Sequence, residues 1–213
     1  MPLQMTDTDF HIAADKQSRF TALYGPASGV DMSSVGKASL NLNKDQPLGF
    51  TLQESSTKSR YMQKPTSHSG GGGLIGSIND YGRFCQMLLN GGALEGERLL
   101  SPTTVRFMRT NQLPDGCDMA AMGQPVWSET SYDGIGFGLG FAVVLDPPKA
   151  SIITSKGEYH WGGAASTFFW IDPVEDLFVV FLTQLIPSST YPIRRELRAV
   201  SYTHLRAHET TRH

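Results

Sequence analysis

The stretch from Glu158 to Leu182 limits what this chain can fold into more than any other. Tyr159-His160-Trp161 runs as a strand into the glycine pair Gly162-Gly163, and Thr167–Ile171 is a second β run. After the Asp172–Asp176 turn the chain enters Leu177-Phe178-Val179-Val180-Phe181-Leu182. Connections this short join neighbouring antiparallel strands as hairpins. The last strand is a continuous apolar run, so it is expected to be covered on both faces. A helix from about Pro192 to Ala199 is the expected cover. The glycine pair adds a chemical possibility, because without a Cβ its backbone N–H groups can approach a ligand closely. Such an edge can hold a reacting carbonyl oxygen, as an oxyanion hole does.

Upstream, alternation of Phe137, Leu139, Phe141 and Val143 with glycines predicts a further strand from Gly136, ended by Asp146-Pro147-Pro148. Ser151–Thr154 and Tyr159–Trp161 read either as one bulged strand or as two. Before residue 134 the signals are helical. A first helix is expected over roughly Ala14 to Tyr24, ending before Gly25-Pro26. Residues 25–69 are polar and lack periodicity, apart from a short strand signal at Leu48–Leu52. Ser77 is placed as an N-cap with Asp80 in capping-box position. Tyr81, Phe84, Cys85, Leu88 and Leu89 then fall at the spacing of a buried helical stripe, which Asn90-Gly91-Gly92 stops. Ser101 and Pro102 open the next helix, with Val105 and Met108 on its apolar side. Residues 111–133 read as loop around Trp127. The expected class is α+β. Residues 1–133 form part of a helical lobe with a long loop excursion, and 134–200 form an antiparallel sheet with a C-terminal helix. A ligand groove would lie between the lobes.

With 39% hydrophobic and 18% charged residues, the composition is that of an ordinary globular domain. A net charge of −2 gives no electrostatic case for nucleic acid. Leu177–Leu182 is far too short to span a bilayer. The first residues lack the basic start and apolar stretch of a secretory signal, which in a partial chain says nothing about compartment. Two cysteines imply no disulfide framework. Cys85 reads as a core residue and Cys117 as a free thiol in a loop.

Several blocks, in order and at the right spacing, resemble the serine β-lactamase-related family. That family includes class C β-lactamases, penicillin-binding-protein-like D-peptidases and family VIII esterases. The blocks are Leu3-Gln4-Met5-Thr6-Asp7-Thr8, similar to the family's PLGMxDT; Gly70–Leu74 followed by Ser77; and the Asp80–Gly92 helix. Leu99-Leu100-Ser101-Pro102, Gly136–Phe141, the Trp-Gly-Gly segment and Leu177–Gln184 complete the series. The resemblance covers roughly residues 1–200 and implies a partial β-lactamase/transpeptidase-like fold.

It also implies what the chain does not contain. In the family a nucleophilic Ser and its Lys form S-x-x-K, and a Tyr follows in Y-x-N; both precede the PLGMxDT block. Here that block begins at Leu3, and no tyrosine is followed by x-Asn. The chain is therefore expected to be the C-terminal part of a serine hydrolase, inactive alone, whose partner is the missing N-terminal half. Ser34-Val35-Gly36-Lys37 and Ser55-Ser56-Thr57-Lys58 have the S-x-x-K spacing but lie in the polar stretch. Neither has an apolar helical repeat behind it, so both read as solvated loops.

By the same resemblance, Trp161-Gly162-Gly163 occupies the place of the family's Lys-Thr-Gly, as Trp-x-Gly does in the esterase branch. The catalytic contribution expected from this chain is Trp161, Gly163 and Ala164, with the Ala164 N–H as one oxyanion donor. A Lys at that place would favour carboxylate-bearing β-lactams and D-Ala peptides. Trp161 offers an uncharged stacking surface instead, which favours neutral esters or amides. His160 reads as a second polar contact or a structural residue. The implied function is acyl-enzyme hydrolysis of small-molecule esters. D-peptidase or β-lactamase-like hydrolysis, or binding without catalysis, are the alternatives.

Residues 201–213 do not continue the helix in apolar register and look like a translated read-through tail, set apart from the fold. His208-Glu209 and His213 in that tail miss the H-E-x-x-H spacing, so no metal is expected. The Gly134–Gly140 and Gly70–Gly73 runs match neither a dinucleotide-binding nor a phosphate-binding motif, and no cofactor is expected.

Overall fold

The structure, a computed structural model, describes residues 2–27, 49–122 and 132–209, with side chains except at 189 and 205–209. Ser34–Lys37, Trp127 and His213 lie outside these residues.

A five-stranded antiparallel sheet organises the fold, built in chain order from β5 (Ile135–Phe137), β6 (Ala142–Val144), β7 (Tyr159–Gly162), β8 (Phe168–Asp172) and β9 (Leu177–Phe181). Two smaller ladders precede it. β1 (Leu23–Pro26) pairs with β2 (Phe50–Glu54), and β3 (Ala93–Leu94) pairs with β4 (Glu97–Arg98). The helices are α1 (Ile78–Leu89), α2 (Pro102–Met108), the single turn α3 (Pro147–Ala150) and α4 (Ile193–Glu209).

Alternation along β8 and β9 assigns the two faces of the sheet. Phe169 and Ile171 pair with Val180 and Phe178, and with Tyr159, Phe141 and Val143 they join the core against Cys85 and Leu88 of α1. Phe168 and Trp170, with Leu177, Val179 and Phe181, pack instead against Ile193, Leu197 and Tyr202 of α4. The apolar run Leu177–Phe181 is thus covered on both sides, by the expected C-terminal helix and by α1.

α1 begins where the cap signal places it, with the Ser77 side chain accepting from the Asp80 N–H at 3.3 Å. Asp80 has a second task. Its carboxylate accepts from the Asp7 N–H at 2.7 Å and from the Thr8 hydroxyl at 2.9 Å, fastening the N-terminal segment to the helix. Ser101 caps α2 through the Thr104 N–H at 3.1 Å, with Pro102 in the first turn.

Four local expectations are corrected. The helix expected over Ala14–Tyr24 is a short 3-10 turn, Ala14–Arg19, that buries no residue. The chain then extends, and Leu23–Pro26 gains a ladder with β2, so long-range pairing overrides local helical preference. The strand expected through Gly136–Val143 folds back at Gly138–Phe141, with Gly140 at a φ of 97° and the Gly138 N–H bonded to the Phe141 carbonyl at 2.8 Å. A left-handed residue at the turn suits glycine and splits the apparent alternation between two core faces. Ser151–Thr154 forms no strand, because Asp146 caps α3 and Ser151 ends it in a left-handed conformation. Finally, α4 continues past Ala199 to Glu209, and Tyr202, within the stretch read as a tail, is buried.

Candidate active site

At the end of β7, Trp161 and Gly162 pair with Phe169 and Phe168 of β8, while β6 pairs only as far as His160. β7 therefore leaves its β6 neighbour at Trp161, and a small cleft opens there, lined by His160, Trp161, Gly162, Tyr132, Arg194 and Arg198 among others. Trp161 remains 37% exposed and meets the Phe137 ring edge-on, with centroids 5.2 Å apart.

The turn that follows is held from three directions. The Gly163 N–H donates to the Thr167 carbonyl at 2.8 Å, and the Ser166 N–H donates to the Gly163 carbonyl at 3.2 Å. The Ser166 hydroxyl donates to the Leu185 carbonyl at 2.6 Å, and the Leu185 N–H returns to the Ala165 carbonyl at 3.2 Å. From α4, Arg194 Nη2 donates to the Gly163 carbonyl at 3.1 Å and reaches the Thr167 carbonyl at 3.4 Å. Gly162 is needed for that approach, since a Cβ there would lie 2.6 Å from Arg194 Nη2. Within this pinned turn Ala164 is exposed, and its N–H bonds to no described residue. Of the three residues singled out from sequence, Trp161 lines the cleft, and Gly163 and Ala164 lie in the turn that follows it.

His160 lines the cleft from the face of β7 that looks toward α4. Its Nδ1 is 2.9 Å from Glu158 Oε1, and Arg198 grips the same carboxylate through Nη2 at 3.0 Å and Nε at 3.3 Å. Thr154 also donates to Glu158, while the Tyr202 hydroxyl donates to Asp172 at 2.7 Å. Burial alone would raise the Glu158 pKa, but the Arg198 charge and the His160 hydrogen bond hold it down at about 2. Burial, followed by repulsion from Arg198, lowers the His160 pKa below 6.5. The pair is thus a carboxylate and a neutral imidazole, and because a carboxylate only accepts, Nδ1 carries the proton.

Sequence reading missed Arg194, Arg198 and Tyr202. Their spacing of four along the C-terminal helix was the available signal for one shared face. Of the two S-x-x-K sites, Ser55 lies in a turn, where its Oγ accepts from the Thr57 N–H at 3.2 Å and meets the Thr57 hydroxyl at 3.0 Å. No group of three or more His, Cys, Asp or Glu among the described residues is placed to hold a metal ion. No helix among them is long and apolar enough to cross a membrane.

Comparison with known proteins agrees with this architecture. The chain is 33% identical over 190 residues to Protein Rv1367c of Mycobacterium tuberculosis (strain ATCC 25618 / H37Rv), a match covering 87% of this chain and 41% of that protein. It superposes on "EstCE1, a hydrolase with promiscuous acyltransferase activity" with a TM-score of 0.65 at 24% identity, covering 94% of this chain and 48% of that one. The unliganded selenomethionyl form of simvastatin synthase (LovD) from Aspergillus terreus gives a TM-score of 0.69 at 19% identity, covering 100% and 48%. The chain thus spans 41% to 48% of the length of these relatives. The fold is β-lactamase/transpeptidase-like in both structural neighbours. The family profile described as Beta-lactamase matches residues 1–202, and the chain belongs to that family.

Proposed function

We propose that this chain supplies the carbonyl-binding wall of a serine acyl hydrolase or acyltransferase acting on neutral esters. A serine outside this sequence attacks the ester carbonyl. The Ser Oγ–acyl bond forms, the ester C–O bond breaks, and the alcohol leaves with a proton. Water or a second alcohol then takes the acyl group and returns the proton to the serine. Trp161 lines the substrate cleft, Gly163 forms the turn, and the Ala164 N–H donates to the carbonyl oxygen as negative charge builds on it. The observation that carries this reading is the N–H of the exposed Ala164, bonded to no described residue, in a turn held by Thr167, Leu185 and Arg194. Preorganised donors of this kind are worth most at an oxyanion. EstCE1, a hydrolase with promiscuous acyltransferase activity, shares the fold. The uncharged Trp161, at the place where the family's β-lactam and D-peptide enzymes carry Lys, favours esters over carboxylate-bearing amides.

Fluorophosphonate labelling tests this reading, with adducts located by peptide mapping. The expected result is no adduct on this chain and one on an upstream S-x-x-K serine in the product of the full reading frame. An adduct on Ser34 or Ser55 would overturn it. In the active full-length product, Ala164→Pro removes the N–H donor and should lower kcat on a p-nitrophenyl ester about 100-fold or more.

A further inference from the structure

The donor proposed above belongs to the Gly163–Ala164 peptide unit, and the orientation of that unit decides whether the donor is useful. A trans peptide directs its C=O and its N–H to opposite sides. Whatever fixes the Gly163 carbonyl therefore also aims the Ala164 N–H. Turn hydrogen bonds alone leave such a unit able to rotate, because changes in the flanking ψ and φ can flip the plane. The Gly163 carbonyl accepts from the Ser166 N–H at 3.2 Å within the turn and from Arg194 Nη2 at 3.1 Å outside it.

Arg194 is well placed to act as a clamp. It comes from α4, a helix packed across the sheet through Ile193, Leu197 and Tyr202. Its guanidinium lies 5.8 Å from the Phe168 ring centroid and reaches the carbonyls of both Gly163 and Thr167, bridging the two sides of the turn. The sequence leaves room for it at Gly162, where a Cβ would stand 2.6 Å from Nη2 and 2.8 Å from Cζ. A charged donor holds a carbonyl about twice as strongly as a neutral one.

Resting on the proposed function, we infer that Arg194 is a positioning residue. It locks the Gly163 carbonyl toward α4 and so fixes the direction in which the Ala164 N–H points. It touches no reacting atom itself.

The sequence contains two Gly–Ala junctions, Gly92–Ala93 and Gly163–Ala164. Labelling the whole chain with carbonyl-13C glycine and 15N alanine therefore gives two carbonyl–amide correlations, one at the site and one remote from it. In Arg194→Gln the Gly163–Ala164 correlation should move or split, and its amide should exchange faster, while Gly92–Ala93 stays in place. Arg194→Lys keeps a charged donor but loses the bridge, so it should give a smaller movement in the same direction. An unmoved Gly163–Ala164 correlation in Arg194→Gln overturns the inference, whatever the activity. If Arg194→Gln unfolds the chain and both correlations collapse, Arg194→Lys decides by the same criterion. In the full-length product, kcat on a neutral ester should fall about tenfold or more with KM little changed, and Lys should restore part of it. A moved correlation in a protein without acyl-transfer activity would sustain the clamp and remove the proposed function.

Discussion

Arg198 and Glu158 meet across the interface between α4 and the sheet, 40 positions apart in sequence, with Nη2 3.0 Å and Nε 3.3 Å from the two carboxylate oxygens. Both are buried, and the Arg198 guanidinium also lies 5.1 Å from the Trp170 ring centroid. Breaking one side of such a pair leaves a charge in the interior without compensation. Arg198→Leu is expected to cost about 3–5 kcal/mol, read as a fall in the urea midpoint at constant slope. Replacing both partners with apolar residues of similar volume should recover much of that loss.

The same cluster sets the response to acid. The folded Glu158 pKa lies near 2, below its ordinary 4.5, so its stabilisation is complete above the ordinary value and is lost as pH falls toward 2. The folded His160 pKa is also depressed, below 6.5, so the unfolded chain takes up that proton more readily. Both shifts act in one direction, and stability should decline from about pH 6.5 downward, more steeply below 4.5. Urea midpoints measured from pH 7 to pH 3 would show this. Glu158→Gln should flatten the acid part of the curve, and an unchanged slope in that variant would assign the acid lability to other groups.

The sheet, α1 and α2 were legible because their signals are local. Ser77 and Ser101 cap where a cap is expected, and Leu177–Phe181 could only be a doubly covered strand. Leu23–Pro26 was not legible as a strand, since its partner at Phe50–Glu54 lies beyond a long intervening segment. The turn at Gly138–Phe141 was hidden because residues flanking a four-residue hairpin loop can keep an alternating pattern while changing faces. At the site, Trp161, Gly163 and Ala164 follow one another, so sequence alone brought them together. Arg194 reaches them only because α4 packs back over the sheet, and Tyr202 was set aside with a stretch whose sequence looked foreign to the fold.

Asp80 joins two duties usually kept apart. Its N–H is capped by Ser77, while its carboxylate holds the Asp7 N–H and the Thr8 hydroxyl. Asp80→Ala leaves these half-buried donors without their charged acceptor and should cost about 1–3 kcal/mol. Hydrogen exchange should rise first at Asp7 and in the first turn of α1, before the sheet is affected. Uniform loosening of all elements would argue against an anchoring role.

The two cysteines should separate cleanly in reactivity. Cys85 is buried on the inner face of α1, and burial pushes its thiol up to about 12, so almost no thiolate exists near neutrality. Cys117 is partly exposed, with Met122 Sδ 3.6 Å away. Treatment with a thiol reagent at pH 8 should modify Cys117 rapidly, and Cys85 only at the rate of unfolding. Equal labelling of both under native conditions would mean that the core between α1 and the sheet opens far more readily than its packing suggests.

Trp161 offers the sharpest test of substrate preference. Its ring meets Phe137 edge-on, lines the cleft and stays accessible; in the proposed function an apolar acyl or alcohol group stacks on it. An aromatic contact of this kind contributes about 0.5–1.5 kcal/mol beyond area burial, so Trp161→Ala in the full-length product should raise KM for neutral aromatic esters about 2- to 10-fold. Because the contact is made equally in ground and transition states, kcat should change little. Trp161→Lys should produce the same loss and, in addition, tighten the binding of carboxylate-bearing substrates, to a degree that weakens with added salt. A fall in kcat at constant KM would place Trp161 against the reacting centre instead, holding the Gly162–Ala164 turn in shape rather than selecting the substrate.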